Sequence, residues 1–459
     1  MNITTSEDTP TTSTTTPTVE FHPTELGNAE RFVAKFGADV LYNHEEKKWY
    51  EWTGQVWAKD RTGGMRLRME QIAKAIMSEA ASAEDHERRA KLAKWAIQSE
   101  SNHNLRSSLA VAQSKVPVLT EEFNQDIYLL NLNNGILDLR TGDFLDHHRE
   151  NMLTKISPVD YDPAAKCPRW EQFLTEVMDA ATISFLQRAA GYSLTGFTGE
   201  HCLFLLYGLG RNGKSVFLAA LQHILGDYAL QTDWQSFTVS RNGGVQIRND
   251  IARLHGARFV AAVESEKTAR LAESLIKTLT GGDKITARFL YHEAFEFHPQ
   301  FKLWLATNHK PNVVGTDEAM WSRVKLIPFD VTIPLEKRDK HLLDKLNAEA
   351  SGILNWALEG LRMYNHDGLS ESRAVTSATA EYRQHSDTLG HFITARCVLS
   401  ETARTNPTEL YAAYRTWAEF AGEYYVMNER EFATALEERG IRRGRTEKAR
   451  FWKGIGLLQ

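Results

Sequence analysis

The segment from Gly208 to Ser215, GLGRNGKS, has the residue types and spacing of a phosphate-binding loop. It fits the pattern G-x-x-x-x-G-K-[ST] in full, directly after the apolar run 202–207 and directly before VFLAALQHILG. Glycines let backbone N–H groups converge on phosphate oxygens, and the start of the following helix adds the positive end of its dipole. We expect Lys214 to bridge the β- and γ-phosphates of a triphosphate and Ser215 to hold Mg²⁺. The remaining loop positions of the predicted site are Gly208, Gly210, Arg211, Asn212 and Gly213. The alternative is a glycine-rich turn with an incidental lysine.

Hydrolysis of a triphosphate requires further groups beside the loop. Glu264 ends the run FVAAV and Glu266 follows two residues later, so either carboxylate is a candidate Mg²⁺ ligand and water activator. Both could instead cap the next helix, where acidic side chains are favoured. Asn308, which ends FKLWLAT, is the candidate for orienting the water. Arg323 is the candidate for stabilising charge on the transferred phosphoryl group, from a neighbouring subunit. It could equally be a surface residue of a strand.

The elements that must position these groups are short apolar runs separated by helical segments. Continuous apolar runs are typical of parallel strands that are covered on both faces, so the sequence predicts an α/β fold. Four such runs are expected to lie side by side, at 202–208, 258–264, 301–308 and 323–329. A segment with near-helical spacing of apolar residues, 170–192, predicts two short helices ahead of them.

The rest of the chain divides by composition. The Thr/Ser/Pro-rich start has little apolar surface to bury, which predicts a disordered tail. The expected organisation is a tail at 1–20, an α+β domain at 21–165, an ATPase domain with a helical lead-in at 166–365 and a DNA-binding domain at 366–459.

Composition excludes several classes of protein. The chain has 459 residues, and 54 Lys+Arg against 59 Asp+Glu give a formal net charge of −5. A histone-like polycation is therefore excluded, and any nucleic-acid contact must use local basic patches. Three cysteines are too few for a disulfide framework or a four-ligand zinc site. The sequence shows neither a run of membrane-spanning length nor a signal peptide, so we expect a cytoplasmic protein with no membrane partner.

Several spans together strongly resemble the helicase part of phage and plasmid primase-helicases, which are superfamily 3 helicases of the AAA+ class. The resemblance covers about residues 120–330 and weakens toward both ends. It is carried by GLGRNGKS, GARFVAAVESE, IKTLTGGDKITARFLYHEAFEFHPQFKLWLATNHKP and GTDEAMWSRVKLIPF, in that order, and by LNLNNGILDLRTG, YDPAAKCPRWEQFL and LQRAAGYSLTG upstream.

The resemblance implies a homo-hexameric ring that hydrolyses ATP with Mg²⁺ at its subunit interfaces and moves single-stranded DNA through its pore. Lys214, with Gly213 and Ser215, falls on the first nucleotide motif, Glu264 on the second, Asn308 on the sensor and Arg323 on the inter-subunit arginine. Many members place two acidic residues side by side in the second motif, whereas Ser265 separates Glu264 from Glu266 here. The metal ligand and the base therefore stay unassigned between those two residues.

The resemblance also implies a pore hairpin at ARFLYHEAFEF. Its candidate DNA contacts are Arg288, Tyr291 and His292, since a cation can contact phosphates and a ring can stack on a base. The tip position is often basic in the family, whereas His292 is only partly charged near neutral pH. The aromatic residues could instead be the packed alternation of an ordinary hairpin.

The end of the chain is its clearest basic segment. Residues 439–453 hold seven Lys or Arg against one Glu, with two aromatic residues among them, and resemble the winged-helix end of some family members. A helix at 428–439 would lie in a duplex groove and a two-stranded wing would contact phosphates, although a solvated charged hairpin is the alternative. The candidate DNA contacts are Arg442, Arg443, Arg445, Lys448 and Arg450.

The residues and the resemblance together predict an ATP-dependent, hexameric replicative DNA helicase of a phage, plasmid or mobile element. It would act on single-stranded and forked DNA in the cytoplasm of a bacterial host. The alternatives are an origin-binding initiator, a combined primase-helicase and a motor of anti-phage defence. Asp160 and Asp162 form a D-x-D pair of the kind a primase uses, but they lie in a turn-rich segment that we interpret as structural. About 140 residues precede that segment after the tail, so we expect a separate primase or origin-binding protein as partner.

Overall fold

The computed structural model describes residues 20–239, 249–264, 270–290, 294–313, 318–423, 425–445 and 450–458. It divides into two compact units, the first formed by the described residues up to Gln125 with His148–Thr154 and the second by those of Asp126–His147 and from Lys155 onward. The predicted disordered tail lies, up to residue 19, outside the described residues. The predicted domain boundaries at 165 and 365 stay predictions.

The first unit is a small α+β structure. Its four strands form one sheet in the order β3-β2-β1-β4, and its core is closed by an aromatic group that includes Phe32 and Trp49. The buried Arg31 donates to both carboxylate oxygens of Glu79, so its charge is paired. Its elements are α1 (Glu25–Phe36), β1 (Val40–Asn43), β2 (Lys48–Trp52), β3 (Trp57–Lys59), α2 (Gly64–Ser82), α3 (His86–Ser99), α4 (Asn102–Gln113) and β4 (Pro117–Val118).

The second unit contains every predicted site residue that the structure describes. It begins with a small sheet and a helical lead-in: β5 (Leu129–Leu132), β6 (Gly135–Asp138), β7 (Phe144–Leu145), α5 (Pro168–Val177) and α6 (Ala180–Leu194). Its central part comprises β8 (Leu203–Tyr207), α7 (Lys214–Leu225), β9 (Ala229–Gln231), α8 (Asn249–Ala252), β10 (Phe259–Val263), α9 (Glu273–Thr280), β11 (Ile285–Arg288), β12 (Ala294–Phe297), β13 (Lys302–Thr307), α10 (Glu318–Trp321), β14 (Val324–Pro328), α11 (Leu342–Ala348), α12 (Ala350–Asp367) and α13 (Arg373–His385). The two helices predicted within 170–192 are confirmed as α5 and α6.

A five-stranded parallel sheet forms the centre of this unit. The strand order is β14-β8-β13-β10-β9, so the four predicted apolar runs are confirmed as neighbouring parallel strands. Alternate residues enter different cores, with Phe204 in the cluster on one face and Leu205 in the cluster on the other. Both faces are therefore covered, as the apolar runs predict. The edge strand β9 was missed because three residues, ALQ, give no periodic signal.

Aromatic packing fixes the lead-in helix against the loop that follows β8. Trp170 of α5 stacks on Phe217 of α7 at a centroid distance of 5.5 Å, and Phe217 lies 5.8 Å from Trp304 of β13. The carboxylate of Glu349 accepts hydrogen bonds from the Arg169 and Trp170 amides at the start of α5, and so caps that helix. This packing joins α5 and the first turn of α7 to strand β13.

Two buried cations lie at the opposite, amino edge of the sheet. Arg258 donates to the carbonyls of Leu194 and Leu129 at 2.7 and 2.8 Å, and Lys302 donates to the carbonyl of Phe197 at 3.1 Å. Burial lowers the pKa of Lys302 well below its usual value. These bonds tie the end of α6 and strand β5 to the sheet, a role that the sequence did not indicate.

The last part of the chain has the element order helix, strand, helix, helix, strand, strand. Its strands form an antiparallel sheet in the order β15-β17-β16, which packs with the helices around buried Phe392, Tyr414 and Trp452. The helix and basic hairpin predicted from the sequence are both present. The elements are α14 (Thr388–Arg396), β15 (Cys397–Thr405), α15 (Pro407–Ala421), α16 (Glu429–Glu438), β16 (Arg442–Arg445) and β17 (Arg450–Leu457). No helix within the described ranges is long and apolar enough to cross a membrane.

Candidate nucleotide site and basic surface

The loop between β8 and α7 is shaped by its glycines. Gly210 and Gly213 have φ angles of 97° and 88°, in the region that favours glycine. A Cβ atom on Gly208 would lie 2.2 Å from Nδ2 of Asn212 and 2.3 Å from the Phe329 carbonyl, so no larger residue fits there. Asn212 is itself buried and donates to that same carbonyl at 2.9 Å. The loop is therefore fixed by a contact with the residue that follows β14 and not only by its own backbone.

Lys214 is buried at the first position of α7, with 5% of its surface exposed. Its Nζ donates to the Gly208 carbonyl at 2.6 Å, to Oδ1 of Asn212 at 3.1 Å and to Oδ1 of Asn308 at 3.2 Å. All three acceptors are neutral, and burial lowers the pKa of Lys214 to about 8, while nearby Glu264 acts in the opposite direction. An anion that replaced one of these neutral oxygens would stabilise the ammonium group.

Glu264 follows β10 at the same edge of the sheet. Its Oε2 accepts hydrogen bonds from Thr307 Oγ1 at 2.5 Å and from the backbone amides of Asn308 and His309 at 2.9 and 3.1 Å. Its Oε1 is buried and has no hydrogen-bond partner among the described residues. One carboxylate oxygen thus fixes the side chain, and the other is a buried acceptor without a hydrogen bond from the described residues. The sequence did not identify Thr307, although a hydroxyl at the last position of an apolar strand was a usable signal.

Asn308 connects the lysine to the glutamate. It follows β13, which lies between β8 and β10 in the sheet, so its backbone amide reaches Glu264 and its side chain reaches Lys214. The exposed Ser215 lies next to Lys214 in the first turn of α7, and the exposed Arg211 lies at the loop tip with a φ of 56°. The structure therefore brings the predicted loop, Glu264 and Asn308 together, whereas Glu266 lies outside the described residues.

An Mg²⁺-nucleotide fits this set of groups. Mg²⁺ prefers oxygen ligands, and Glu264 and Ser215 supply a carboxylate and a hydroxyl beside the loop. The free N–H groups at the start of α7 and the Lys214 ammonium are of the correct sign for phosphates. No group of three or more His, Cys, Asp or Glu able to hold a metal by itself occurs within the described ranges.

Arg323 lies away from this cluster. It directly precedes β14, whose far end carries the Phe329 carbonyl beside the loop, so roughly 15 Å of strand separates it from the nucleotide site. Its Nε donates to Thr280 Oγ1 at 3.1 Å, and its carbonyl accepts from the Leu203 amide. The structure therefore does not bring Arg323 to the loop of its own chain.

The predicted DNA contacts fall in two places. Arg288 is exposed at the end of β11, in an antiparallel hairpin with β12, while Tyr291 and His292 lie outside the described residues. In the last sheet Arg442, Arg445 and Arg450 are exposed. Arg443 instead pairs with Glu437 at 2.7 Å and lies over the Trp452 ring, and Lys448 is outside the described residues.

The D-x-D pair is part of a turn. Asp160 accepts a hydrogen bond from Nδ2 of Asn133 at 2.7 Å, and Asp162 accepts one from the Ala164 amide at 2.9 Å. The backbone carbonyls of the same two residues accept from Ser351 and Asn355 of α12. The segment therefore joins the small sheet to α12.

Comparison with known proteins gives two family matches. Residues 29–179 match the model described as D5 N terminal like, and residues 206–323 match the family of unknown function DUF5906. The structure is similar to the C-terminal region of NrS-1, with a TM-score of 0.50 and 11% identity over 90% of this chain and 85% of that one. At this identity the likeness concerns the fold alone.

Relatives among curated proteins come from large DNA viruses. The chain is 28% identical over 326 residues to the protein L207/L206 of Acanthamoeba polyphaga mimivirus, named as a helicase, covering 66% of this chain and 34% of that protein. It is 24% identical over 264 residues to the protein 022R of Frog virus 3, also named as a helicase, covering 53% and 27%. It is 26% identical over 318 residues to C962R of African swine fever virus, named as a primase, covering 63% and 33%. The chain thus spans about a third of the length of these relatives, and it is similar to the D5-like primase-helicases of viruses and phages through the segments that match D5 N terminal like and DUF5906.

Proposed function

We propose that this protein is an ATP-dependent DNA helicase of the superfamily 3, AAA+ type that acts in replication as a ring, on single-stranded and forked DNA. The observation that carries the proposal is that Asn308 contacts both Lys214 and Glu264. These residues follow three neighbouring strands, β13, β8 and β10, at the carboxyl edge of the sheet. The viral relatives named as helicases support the same activity.

The chain's own groups divide the chemical work. Backbone amides of the loop and the start of α7 hold the phosphates, and Lys214 neutralises charge that develops between the β- and γ-phosphates. Glu264 orients a water molecule with Oε1 and accepts its proton as the oxygen attacks the γ-phosphorus; the leaving group is the diphosphate. Asn308 positions both the lysine and the glutamate. Mg²⁺, held by Ser215 and Glu264, would neutralise charge on the phosphate oxygens.

The position of Arg323 supports a ring. A guanidinium at the opposite edge of the sheet cannot serve the nucleotide of its own chain, but it can serve a neighbour's site across a subunit interface. Mixing Arg323→Ala subunits with wild-type subunits tests this. We expect hydrolysis to fall more steeply than the fraction of wild-type subunits, whereas a proportional decrease would contradict a role across subunits.

Strand displacement on forked DNA of both polarities, with particle mass recorded with and without nucleotide, tests the activity. We expect displacement with ATP, no displacement with a non-hydrolysable analogue, and a particle several times the mass of one chain. Hydrolysis without displacement on either fork would favour the origin-binding initiator. Primer synthesis abolished by Asp160→Asn would favour the combined primase-helicase.

A further inference from the structure

Three cations form a single row across the last sheet. The register pairs Arg404 of β15 with Lys453 of β17, and Lys453 in turn with Arg442 of β16. Directly paired residues of antiparallel strands point to the same face, so all three side chains share one face, and all three are exposed. In the next row Thr405 and Trp452 are buried and face the core, while the third member, Arg443, is exposed and lies over the Trp452 ring. The row therefore lies on the outward face of the sheet.

The row carries uncompensated charge. Neighbouring strands are about 4.8 Å apart, and like charges placed directly opposite one another destabilise a sheet. None of the three cations forms an ion pair with a carboxylate in the part of the chain that the structure describes. An anion bound along the row would remove this repulsion. The spacing across three strands suits a ligand with several negative charges, such as a sugar-phosphate backbone.

An aromatic ring lies beside the row. The Arg404 guanidinium is 4.9 Å from the centroid of the Phe451 ring, two residues before Lys453 on the same face. Gly444 is paired with Phe451, and a Cβ on Gly444 would lie 2.4 Å from the ring, so glycine leaves room for the ring across the sheet. Cations next to a ring are the combination that holds phosphates and stacks on bases without reading sequence.

Helix α16, by contrast, is poorly suited to a nucleic-acid groove. Its exposed carboxylates, Glu429, Glu437 and Glu438, outnumber its exposed cation, Arg430, even with Glu437 paired to Arg443. Its first turn also faces the nucleotide-binding part of the chain. There Glu431 lies 3.9 Å from Arg270 and accepts a hydrogen bond from Tyr425 at 2.5 Å, and Arg270 packs 4.5 Å from the centroid of the Tyr425 ring. A duplex groove would meet a negative surface.

We propose that the C-terminal part binds the sugar-phosphate backbone of DNA through the outward face of the β15-β17-β16 sheet, by the row Arg404, Lys453 and Arg442 with Phe451, while α16 stays outside the interface. The inference rests on the proposed function for the identity of its ligand. A contact with the sugar-phosphate backbone does not depend on base sequence. A motor that translocates along DNA requires such a contact, whereas a protein that recognises an origin must contact the bases.

A triple variant, Arg404→Gln, Arg442→Gln and Lys453→Gln, tests the row. A matched control, Arg373→Gln, Arg415→Gln and Arg430→Gln, removes the same charge from α13, α15 and α16. Affinity is measured against salt for single-stranded DNA, for the duplex of the same sequence and for a shuffled sequence. We expect the row variant to bind about tenfold or more weakly at low salt, with a salt slope smaller by about 2 on single strands or about 3 on duplex. The control should keep the wild-type slope.

The loss of salt slope in the row variant is compared between single-stranded DNA and duplex. The form of DNA that shows the larger loss is the form that the sheet binds. The row variant should unfold at the wild-type temperature or above it at low salt, because repulsion is removed; a structural role for the three cations would lower that temperature. An equal loss of affinity in the control variant, or a sequence preference that only the row variant loses, would overturn the proposal. Failure of the proposed function would appear separately, as absent ATP hydrolysis in a protein that still shows the slope change.

Discussion

The molecule uses positive charge in two opposite ways. At the nucleotide loop one ammonium group, Lys214, is buried among three neutral oxygens. On the last sheet Arg404, Lys453 and Arg442 stand exposed in a row without acidic partners among the described residues. A buried charge is expensive and therefore specific for one ligand geometry, whereas exposed charges are inexpensive and tolerate a ligand that slides. The difference indicates that the loop binds a nucleotide in one fixed geometry, whereas the last sheet binds a DNA backbone that can move along it.

The largest expected effect concerns the carboxylate beside the buried cation. Glu264→Gln should reduce ATP turnover by about 10²–10⁴-fold, because the amide cannot accept the proton of the attacking water. Nucleotide binding should persist, since the amide oxygen can still accept from Thr307 and the two backbone amides. Steady-state turnover and nucleotide affinity are the measurements.

Two comparisons sharpen this prediction. Glu336→Gln, on an exposed turn, makes the same chemical change away from the site and should leave turnover intact. If Glu266→Gln abolishes turnover while Glu264→Gln does not, the base is Glu266 and the role given to Glu264 is wrong.

A pH titration contrasts the two kinds of cation. Burial lowers the pKa of Lys214 to about 8 from its usual 10.5, so above about pH 8 the free protein holds a neutral lysine that must take up a proton to bind phosphates. With divalent cations chelated, nucleotide affinity should be flat below pH 8 and fall by up to about tenfold per pH unit above it. The unfolded chain binds the extra proton between pH 8 and 10.5, so this group makes the free protein more stable as pH rises through that window.

DNA binding is the control in the same titration. The guanidinium groups of Arg404 and Arg442 keep their charge over this range, so DNA affinity should change far less than nucleotide affinity between pH 8 and 10. A nucleotide affinity that stays flat to pH 10 would contradict a buried, neutralisable lysine.

The smallest expected effect is a difference between two arginines of the basic segment, one paired with a carboxylate and one unpaired among the described residues. Arg439 forms an ion pair with Asp387, which also caps α14 by accepting from the Gly390 amide. Arg439→Gln should lower the unfolding temperature by about 2 °C or more, because it leaves a half-buried carboxylate without its partner. Arg442→Gln should leave the unfolding temperature unchanged and weaken DNA binding. Thermal unfolding and DNA affinity of the two variants, measured side by side, check this; the reverse pattern would contradict the division.

The sequence predicted the first region far better than the second. The loop pattern and the apolar strands locate Lys214, Glu264 and Asn308, because parallel strands bring their carboxyl ends to one edge of a sheet. The row of cations could not be predicted, since Arg404 lies 38 residues before Arg442 in the chain and only the strand register places them together. The ion pairs of Arg443 with Glu437 and of Arg439 with Asp387 could not be predicted either. They mean that two arginines of the basic segment are already paired with carboxylates. The orphaned Oε1 of Glu264 likewise depends on tertiary contacts from Thr307.

ATP turnover by Lys214→Ala is the measurement that tests the central claim most directly. The matched control is Lys345→Ala, which removes an exposed lysine paired with Asp339. If Lys214 is the cation that holds the phosphates, its variant should lose hydrolysis to background while circular dichroism shows an intact fold, and the control should hydrolyse ATP at the wild-type rate. Wild-type turnover by a folded Lys214→Ala protein would show that nucleotide is not hydrolysed at this loop.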